Sequence, residues 1–201
     1  MTYTLKRYQS YQEYLDAEEL SPDGNYRLLS TGEVIEVPLE NDINRLIANA
    51  LIAALLKTKG ISFIRYICLG NKEMQVHPVG DKCINRKPDV MVLAPSHLKE
   101  AKQALFLGME SPRFVAEVVS PGSPSSENYL RDYEWKRQQY EDWQIPEYWI
   151  IDPHREQVSV LTLVNGAYQA VVFAKAERIA STAFPEIEIT VDALLAGQID
   201  E

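Results

Sequence analysis

The chain has 201 residues, 46% of them hydrophobic and 24% charged, which is ordinary for a globular protein able to bury a sizeable core. It contains no apolar run of the roughly 18 residues that a membrane span needs, and residues 1–7 lack the apolar centre of a secretion signal. Cys68 and Cys83 are isolated in the sequence, as reduced cytosolic thiols are. We therefore expect one cytoplasmic domain over residues 1–201, with no membrane segment.

The net charge of −9 bears on the class of partner, because binding to nucleic acid depends on Lys and Arg side chains that neutralise phosphates. An acidic chain can still bind nucleic acid where its positive charge is local. Six basic residues lie close to the central motifs described below: Arg86, Lys87, Arg113, Arg131, Lys136 and Arg137. Many of the acidic residues lie toward the two ends. The charge therefore disfavours a nucleic-acid partner without excluding one.

In the first half of the chain, apolar periodicity and turn residues predict two helices and several strands. A capping box from Ser10 to Glu13 predicts a helix over about residues 11–19. The clearest helix has an apolar stripe at helical spacing and ends at Gly60. That stripe consists of Ile43, Leu46, Ile47, Ala50, Leu51, Ala54 and Leu55. Strands are predicted over residues 26–29, 33–37, 61–68, 73–79 and 88–93.

The second half predicts buried strands, one long helix and a hairpin. Residues 96–109 predict a loop with a helical turn, 113–119 a strand buried on both faces, 126–143 a helix and 147–151 another buried strand. Asn165-Gly166 predicts a type I′ hairpin between 157–163 and 167–174, and Thr190 caps a last short helix that Gly197 ends. The order predicts an α/β fold of the α+β type, with a central mixed sheet flanked by helices and an added C-terminal β-hairpin.

Glu117 is the sharpest chemical signal, because it interrupts the apolar run from Phe114 to Val119. A buried carboxylate requires a cation or a dense shell of hydrogen bonds. A structural ion pair with an arginine is the plain alternative. Asp89 follows Pro88 at a strand start, where an aspartate also commonly caps a backbone amide. Together, two acids on neighbouring strands could share one Mg²⁺ ion, which takes one or two protein carboxylates and accepts phosphate oxygens.

Lys136 belongs to the helix predicted directly after the Glu117 strand. Asp132, Lys136 and Tyr140 are spaced four residues apart and share one helix face. A solvated surface lysine is the alternative for Lys136 taken alone. The position of Lys136 favours a role in the site, because a helix that folds back on the strand can direct one side chain toward Glu117.

These motifs resemble a large bacterial family of predicted endonucleases within the PD-(D/E)xK, restriction-endonuclease-like superfamily. The resemblance rests on residues 87–89, 115–121, the Asp132…Lys136…Tyr140 spacing and residues 147–153, and it extends from about Tyr11 to Leu195. It implies a restriction-endonuclease-like core and Mg²⁺-dependent cleavage of nucleic acid, DNA above all, with Mn²⁺ as a substitute.

The same resemblance implies roles for individual residues. Asp89 and Glu117 would be metal ligands, with the backbone carbonyl of Val118 as a further one. The usual superfamily lysine lies two residues after the acid, where this chain has Val119. Lys136 on the following helix would take its place, orienting the attacking water or holding the phosphate.

The chain departs from the resemblance at Arg27. Many relatives carry a glutamate in a Tyr-Glu-Leu segment, where this chain has Tyr26-Arg27-Leu28. Glu40, at the start of the core-facing stripe of the long helix, is the expected replacement in the catalytic set, and Glu33 is the weaker candidate. If neither reaches the site, we expect weak metal binding or no activity.

Three function classes remain open at this stage. The first is the nuclease, possible as a homodimer built on the 147–151 strand and the hairpin, since a two-fold dimer suits cleavage of both strands of a duplex. The second is a non-catalytic nucleic-acid-binding or interaction module that keeps the fold. The third is a metal-dependent hydrolase that acts on another substrate. Convergence of the Asp89 and Glu117 carboxylates would favour the first class.

Overall fold

The computed structural model describes residues 7–21, 24–37, 42–101, 103–120 and 122–199. The α-helices are α1 (Tyr11–Leu15), α2 (Asp42–Lys59), α3 (His97–Glu100), α4 (Glu127–Leu130), α5 (Lys136–Asp142) and α6 (Val191–Leu195). The strands are β1 (Tyr26–Leu28), β2 (Val34–Glu36), β3 (Ile67–Cys68), β4 (Glu73–Gln75), β5 (Asn85–Arg86), β6 (Val90–Val92), β7 (Ala104–Leu105), β8 (Phe114–Val118), β9 (Glu147–Asp152), β10 (Gln157–Val164) and β11 (Ala167–Ala174). A 3-10 helix spans Ile61–Tyr66, and a π-helical turn, Arg131–Trp135, joins α4 to α5.

Within these ranges, six strands form the largest sheet, in the order β11-β10-β9-β8-β6-β3. Its neighbours are antiparallel, except that β8 and β9 run parallel. A parallel pair requires a crossover, and here α4, the π turn and α5 supply it. The predicted mixed sheet, its flanking helices and the C-terminal hairpin are thus confirmed. None of the helices in the described ranges is long and apolar enough to span a membrane.

Strand β8 lies at the centre of this sheet, and all five of its residues are buried. Successive side chains of a strand point to opposite faces. Phe114, Ala116 and Val118 therefore pack in the core cluster that contains α2 and α6. Val115 and Val119 pack on the opposite face, in the cluster that contains Tyr140 of α5. Glu117 follows this second set, so its side chain lies on the α5 face of the sheet.

Helix α2 confirms the prediction, and most of its stripe is buried. Ile47, Leu51 and Leu55 lie fully within the core. Ile43 and Leu46, in contrast, are 54% and 52% exposed. Ile43 lines the cavity described below, so the first turn of α2 extends beyond the hydrophobic core to the cavity rim. Gly60 follows the helix with φ of 82°, a conformation that favours glycine.

The strand predicted over residues 61–68 is wrong for its first six residues, which form the 3-10 helix. Phe63 and Tyr66 pack against the core from this helix, and Ile61 is 76% exposed. Because residues three apart eclipse in a 3-10 helix, one face suffices to bury both aromatic rings. The apolar composition of this segment indicated burial, but it did not distinguish the periodicity of a strand from that of a 3-10 helix.

Other predicted elements are shorter in the structure. Helix α1 ends at Leu15, and the strand predicted over 73–79 is the three-residue β4. Strand β4 pairs with β5 and β7, and β3 pairs with β6. Partner choice between short strands depends on contacts distant in sequence, which local patterns do not contain.

The C-terminal elements match their predictions closely. Asn165 and Gly166 have φ of 53° and 83°, as a type I′ turn requires, and β10 pairs with β11 over eight residues. The Thr190 hydroxyl accepts a hydrogen bond from the Ala193 amide and caps α6. Gly197, with φ of 71°, follows that helix.

Candidate active site

A cavity of about 780 Å³ lies where β6 and β8 meet the start of α2 and the α4–α5 region. Asp89, Glu117, Val118 and Lys136 all line it. These are the described residues that the sequence singled out as metal ligands and as the site lysine. Glu40, the remaining candidate, lies outside the described residues.

The sheet register brings Asp89 and Glu117 together. Strands β6 and β8 are antiparallel, with Val90 opposite Ala116. Asp89 directly precedes β6 and therefore lies near the end of β8 that carries Glu117 and Val118. Asp89 Oδ2 also accepts a hydrogen bond of 2.6 Å from the Val118 amide. Asp89 therefore caps a backbone amide, as the plain alternative expected, while it lines the cavity.

Glu117 is 2% exposed and receives donors at both carboxylate oxygens. Lys136 Nζ lies 2.9 Å from Oε2, and the Tyr140 hydroxyl donates to Oε1. The buried ion pair is thus with a lysine rather than with the arginine of the plain alternative. Each carboxylate oxygen has a second lone pair, so a further ligand can still bind.

Asp132 links Lys136 to a second cation. Lys136 Nζ lies 3.0 Å from Asp132 Oδ1, and the Arg131 guanidinium donates to both Asp132 oxygens at 2.9 Å. The shared face predicted for Asp132, Lys136 and Tyr140 is confirmed by these contacts. Opposite charges in contact offset the cost of burying these groups.

The surrounding charges shift the pKa values of the network. Burial raises the pKa of Glu117, and Asp89 adds to this effect while Lys136 opposes it. Burial lowers the pKa of Lys136, but Asp132 and Glu117 outweigh it and raise that pKa. Lys136 is therefore protonated at neutral pH, so it can donate hydrogen bonds and hold negative charge but cannot accept a proton.

Sequence reasoning left several cavity or network residues without a role. Asp132 and Tyr140 were visible as helical neighbours of Lys136, which was the available signal. Asn44 donates to the Val118 carbonyl at 3.5 Å from the first turn of α2. His154 lines the cavity as well, although its position in the sequence gives no sign of this.

Arg27 and Glu33 differ in their relation to the cavity. Arg27 lines it. Glu33 pairs instead with Arg7, whose Nη2 lies 2.6 Å from Glu33 Oε1, and it is not among the residues lining the cavity. Glu33 therefore adds no carboxylate to the cavity at the place of Arg27.

The donor set can be compared with what a metal ion needs. Among the described residues, no group of three or more His, Cys, Asp or Glu side chains is arranged to hold a metal. Asp89, Glu117 and the Val118 carbonyl nevertheless supply oxygen donors to one cavity. Mg²⁺ typically binds one or two protein carboxylates and completes its shell with water and phosphate oxygens. The residues present therefore fit Mg²⁺ and do not fit a closed, all-protein site such as that of structural zinc.

A mixed sheet has one acid within a strand and another directly before the adjacent strand, and the crossover helix that follows supplies a lysine. This arrangement is typical of a restriction-endonuclease-like core. The chain belongs to the Uma2 family, described as "Putative restriction endonuclease", whose model matches residues 11–192. This agrees with the family resemblance inferred from the motifs.

A solved structure shows the same fold. It is described as a "putative nuclease belonging to DUF820 from Anabaena variabilis" and is 16% identical to this chain, with a TM-score of 0.64. The match covers 92% of this chain and 97% of that one. No curated protein matches the chain.

Proposed function

We propose that this protein is an Mg²⁺-dependent endonuclease that hydrolyses phosphodiester bonds of nucleic acid, with DNA as the substrate and Mn²⁺ able to replace Mg²⁺. One observation carries the proposal. Asp89, directly before β6, and Glu117 of the adjacent strand β8 line one cavity, and Lys136 contacts Glu117 there. Membership of the Uma2 family supports the same activity.

Each residue would contribute in a distinct way. Asp89, Glu117 and the Val118 carbonyl would hold the ion, with Glu40 as a further carboxylate. When bound, the ion polarises the phosphate and lowers the pKa of a water molecule. Lys136, held protonated beside Glu117, would orient the attacking water or hold a phosphate oxygen through its Nζ hydrogens. Tyr140 would fix the orientation of Glu117 through its hydrogen bond to Oε1.

The decisive test combines metal titration with plasmid nicking on wild type and Glu117→Gln. We expect wild type to bind Mg²⁺ or Mn²⁺ and to nick DNA. Glu117→Gln removes one ligand charge, and we expect nicking to fall roughly a hundredfold or more. Calorimetry and agarose electrophoresis give the two readouts. Glu110→Gln is the matched control, because it makes the same Glu-to-Gln change at an exposed acid that pairs with Arg113. This variant should keep both metal binding and nicking.

Three outcomes would contradict the proposal. Metal binding without cleavage of DNA or RNA would point to a hydrolase that acts on another substrate. Absence of metal binding in wild type would point to the non-catalytic module. Equal nicking by Glu117→Gln and wild type would remove Glu117 from the site.

The non-catalytic nucleic-acid-binding module is the second candidate, and two observations favour it. Arg27 stands in the cavity as a cation that cannot bind a metal. Lys136 already compensates the charge of Glu117. Such a module would bind oligonucleotides equally well in the presence of Mg²⁺ and of a chelator. A metal-dependent enzyme would also cleave the oligonucleotides, and only with the ion.

We propose further that two copies associate through β11, the edge strand of the six-stranded sheet. The predicted contribution of β9 is excluded, because β9 lies between β8 and β10 and is buried. Strand β11 spans eight residues, and its Val171 and Val172 are 56% and 53% exposed. A long exposed edge strand can pair with another strand. Light scattering should give twice the chain mass for wild type at micromolar concentration. Val171→Lys should reduce the measured mass to that of one chain. A monomeric wild type would contradict the proposed dimer.

We also propose a cytoplasmic location. Cys68 and Cys83 are free, and burial raises the pKa of both thiols, to about 11 for Cys83. Thiols of this kind persist in a reducing compartment.

A further inference from the structure

Cationic side chains line the cavity together with the carboxylates of Asp89, Glu117 and Glu127. Arg27, Arg86, Lys87 and Arg131 line the cavity together with Lys136. Three of these cations already have carboxylate partners. Arg86 binds Asp81 at 2.9 Å, Arg131 binds Asp132, and Lys136 is shared between Asp132 and Glu117.

Arg27 and Lys87 differ from these three. Within the described ranges, no carboxylate lies at ion-pair distance from either side chain, although both are half-buried. Burial lowers the pKa of Arg27, Arg131 and Arg86 lower it further, and Cys83 and Asp81 raise it in part. A half-buried guanidinium among other cations is costly unless an anion compensates it. The place for such an anion is the cavity itself.

The backbone around Arg27 is fixed, so its side chain is presented to the cavity by the fold. Asn85 accepts a hydrogen bond from the Leu28 amide at 2.7 Å and donates one to the Tyr26 carbonyl at 3.2 Å. Leu28 packs in the N-terminal core cluster, and strand alternation turns Arg27 to the other side. A fixed strand with one outward guanidinium is a positioned anion site rather than a mobile surface charge.

We propose that Arg27, assisted by Lys87, binds a phosphate group of the nucleic-acid backbone in this cavity. A guanidinium presents paired N–H donors that match phosphate oxygens. The subsite rests on the proposed function, since it lies in the same cavity as Asp89 and Glu117. In this subsite, Arg27 would bind the substrate rather than the metal ion.

The test measures DNA affinity against salt concentration, in EDTA so that no cleavage occurs. The probe is a fluorescein-labelled 20-base-pair duplex, with a single-stranded RNA of the same length in parallel, and the readout is anisotropy. Loss of one phosphate contact lowers the slope of log K against log salt by about 0.9 for duplex DNA. We expect Arg27→Ala to show this change, with affinity roughly tenfold weaker.

Matched variants separate the local site from general charge and from folding. Arg178→Ala removes the same charge at an exposed residue that pairs with Glu188 outside the cavity, and it should leave the slope unchanged. Arg27→Lys should keep the slope and weaken affinity, because it retains the charge but loses the paired donors. Without DNA, the melting temperature of Arg27→Gln should not fall, whereas a structural role for Arg27 requires a fall.

The outcomes distinguish this inference from the proposed catalysis. An Arg27-dependent slope in a protein that does not nick plasmid DNA would support the subsite and reject the nuclease. Unchanged affinity and slope in Arg27→Ala would overturn the subsite, even in a protein that cleaves DNA. Absence of binding to both probes at low salt by wild type would overturn it as well.

Discussion

At the residue scale, two buried glutamates on adjacent strands have different environments. Glu117 of β8 contacts a lysine and lines the cavity. Glu147 of β9 accepts hydrogen bonds from uncharged donors at 2.6–3.1 Å. Those donors are the Trp149 indole, the Ser181 hydroxyl, the Thr182 amide and hydroxyl, and the Ala183 amide. Glu147 therefore anchors the segment around residues 181–183 to the sheet, which is a structural task.

We expect Glu147→Gln to destabilise the fold, because an amide NH₂ would face donors that need an acceptor. The free energy of unfolding should fall by roughly 2–4 kcal/mol, as expected for buried hydrogen-bonding groups left unsatisfied. Urea denaturation followed by circular dichroism measures this change. Glu117→Gln, an identical change on the neighbouring strand, should cost less because Gln can still accept from Tyr140. Equal stability of Glu147→Gln and wild type would show that the five hydrogen bonds contribute little.

At the element scale, the crossover between β8 and β9 places charged side chains against the sheet. The π turn between α4 and α5 contains Arg131 and Asp132, and Lys136 begins α5. Single π turns within α-helices occur frequently at functional sites. Here Asp132 connects both cations to the Glu117 strand, and its Oδ2 also accepts from the Ser120 amide at 3.3 Å. The network therefore joins the helix to the end of β8.

The pH dependence of stability tests this network. Burial raises the pKa of Asp132, but Lys136 and Arg131 together lower it from 3.8 to about 2. A carboxyl whose pKa is depressed in the folded state stabilises the fold above its unfolded pKa, and this stabilisation is lost as pH falls toward the folded value. The wild-type advantage over Asp132→Asn should thus shrink by roughly 2 kcal/mol between about pH 5 and pH 2.

Denaturant titration at several pH values measures that difference. Asp142→Asn removes an exposed acid from α5 and controls for the loss of one charge. If the difference between wild type and Asp132→Asn were the same at both ends of this pH range, the pairing with Lys136 and Arg131 would not contribute to stability.

Elements with strong local signals were predictable, and those with weak ones were not. The stripe of α2, the apolar run of β8 and the Asn165-Gly166 turn specify their structures through nearby residues. The segment 61–66 has an apolar composition that fits either a strand or a 3-10 helix. Only packing of Phe63 and Tyr66 against the core selects the helix. The bounds of β4 likewise depend on its partners β5 and β7.

At the scale of the whole molecule, charge is distributed unevenly. The chain carries a net charge of −9, yet five Lys and Arg side chains line the cavity. Of these five, Arg27 and Lys87 are the two that would attract the proposed nucleic-acid ligand within an otherwise acidic surface. Such an arrangement would restrict the proposed binding to the cavity and make its affinity depend on salt.

The sequence by itself determined the fold class and the residues capable of chemistry. A lone carboxylate in an apolar run signals Glu117, and residues spaced four apart on a helix signal the shared face of Asp132, Lys136 and Tyr140. These inferences need only local periodicity and the cost of burying charge. The tertiary structure decided the rest: the β6–β8 pairing that brings Asp89 to the Val118 amide, the contact of Asn44 with Val118, and the position of Arg27 in the cavity. Each of these depends on how segments far apart in the chain pair and pack, because strand register and packing are set by the whole core.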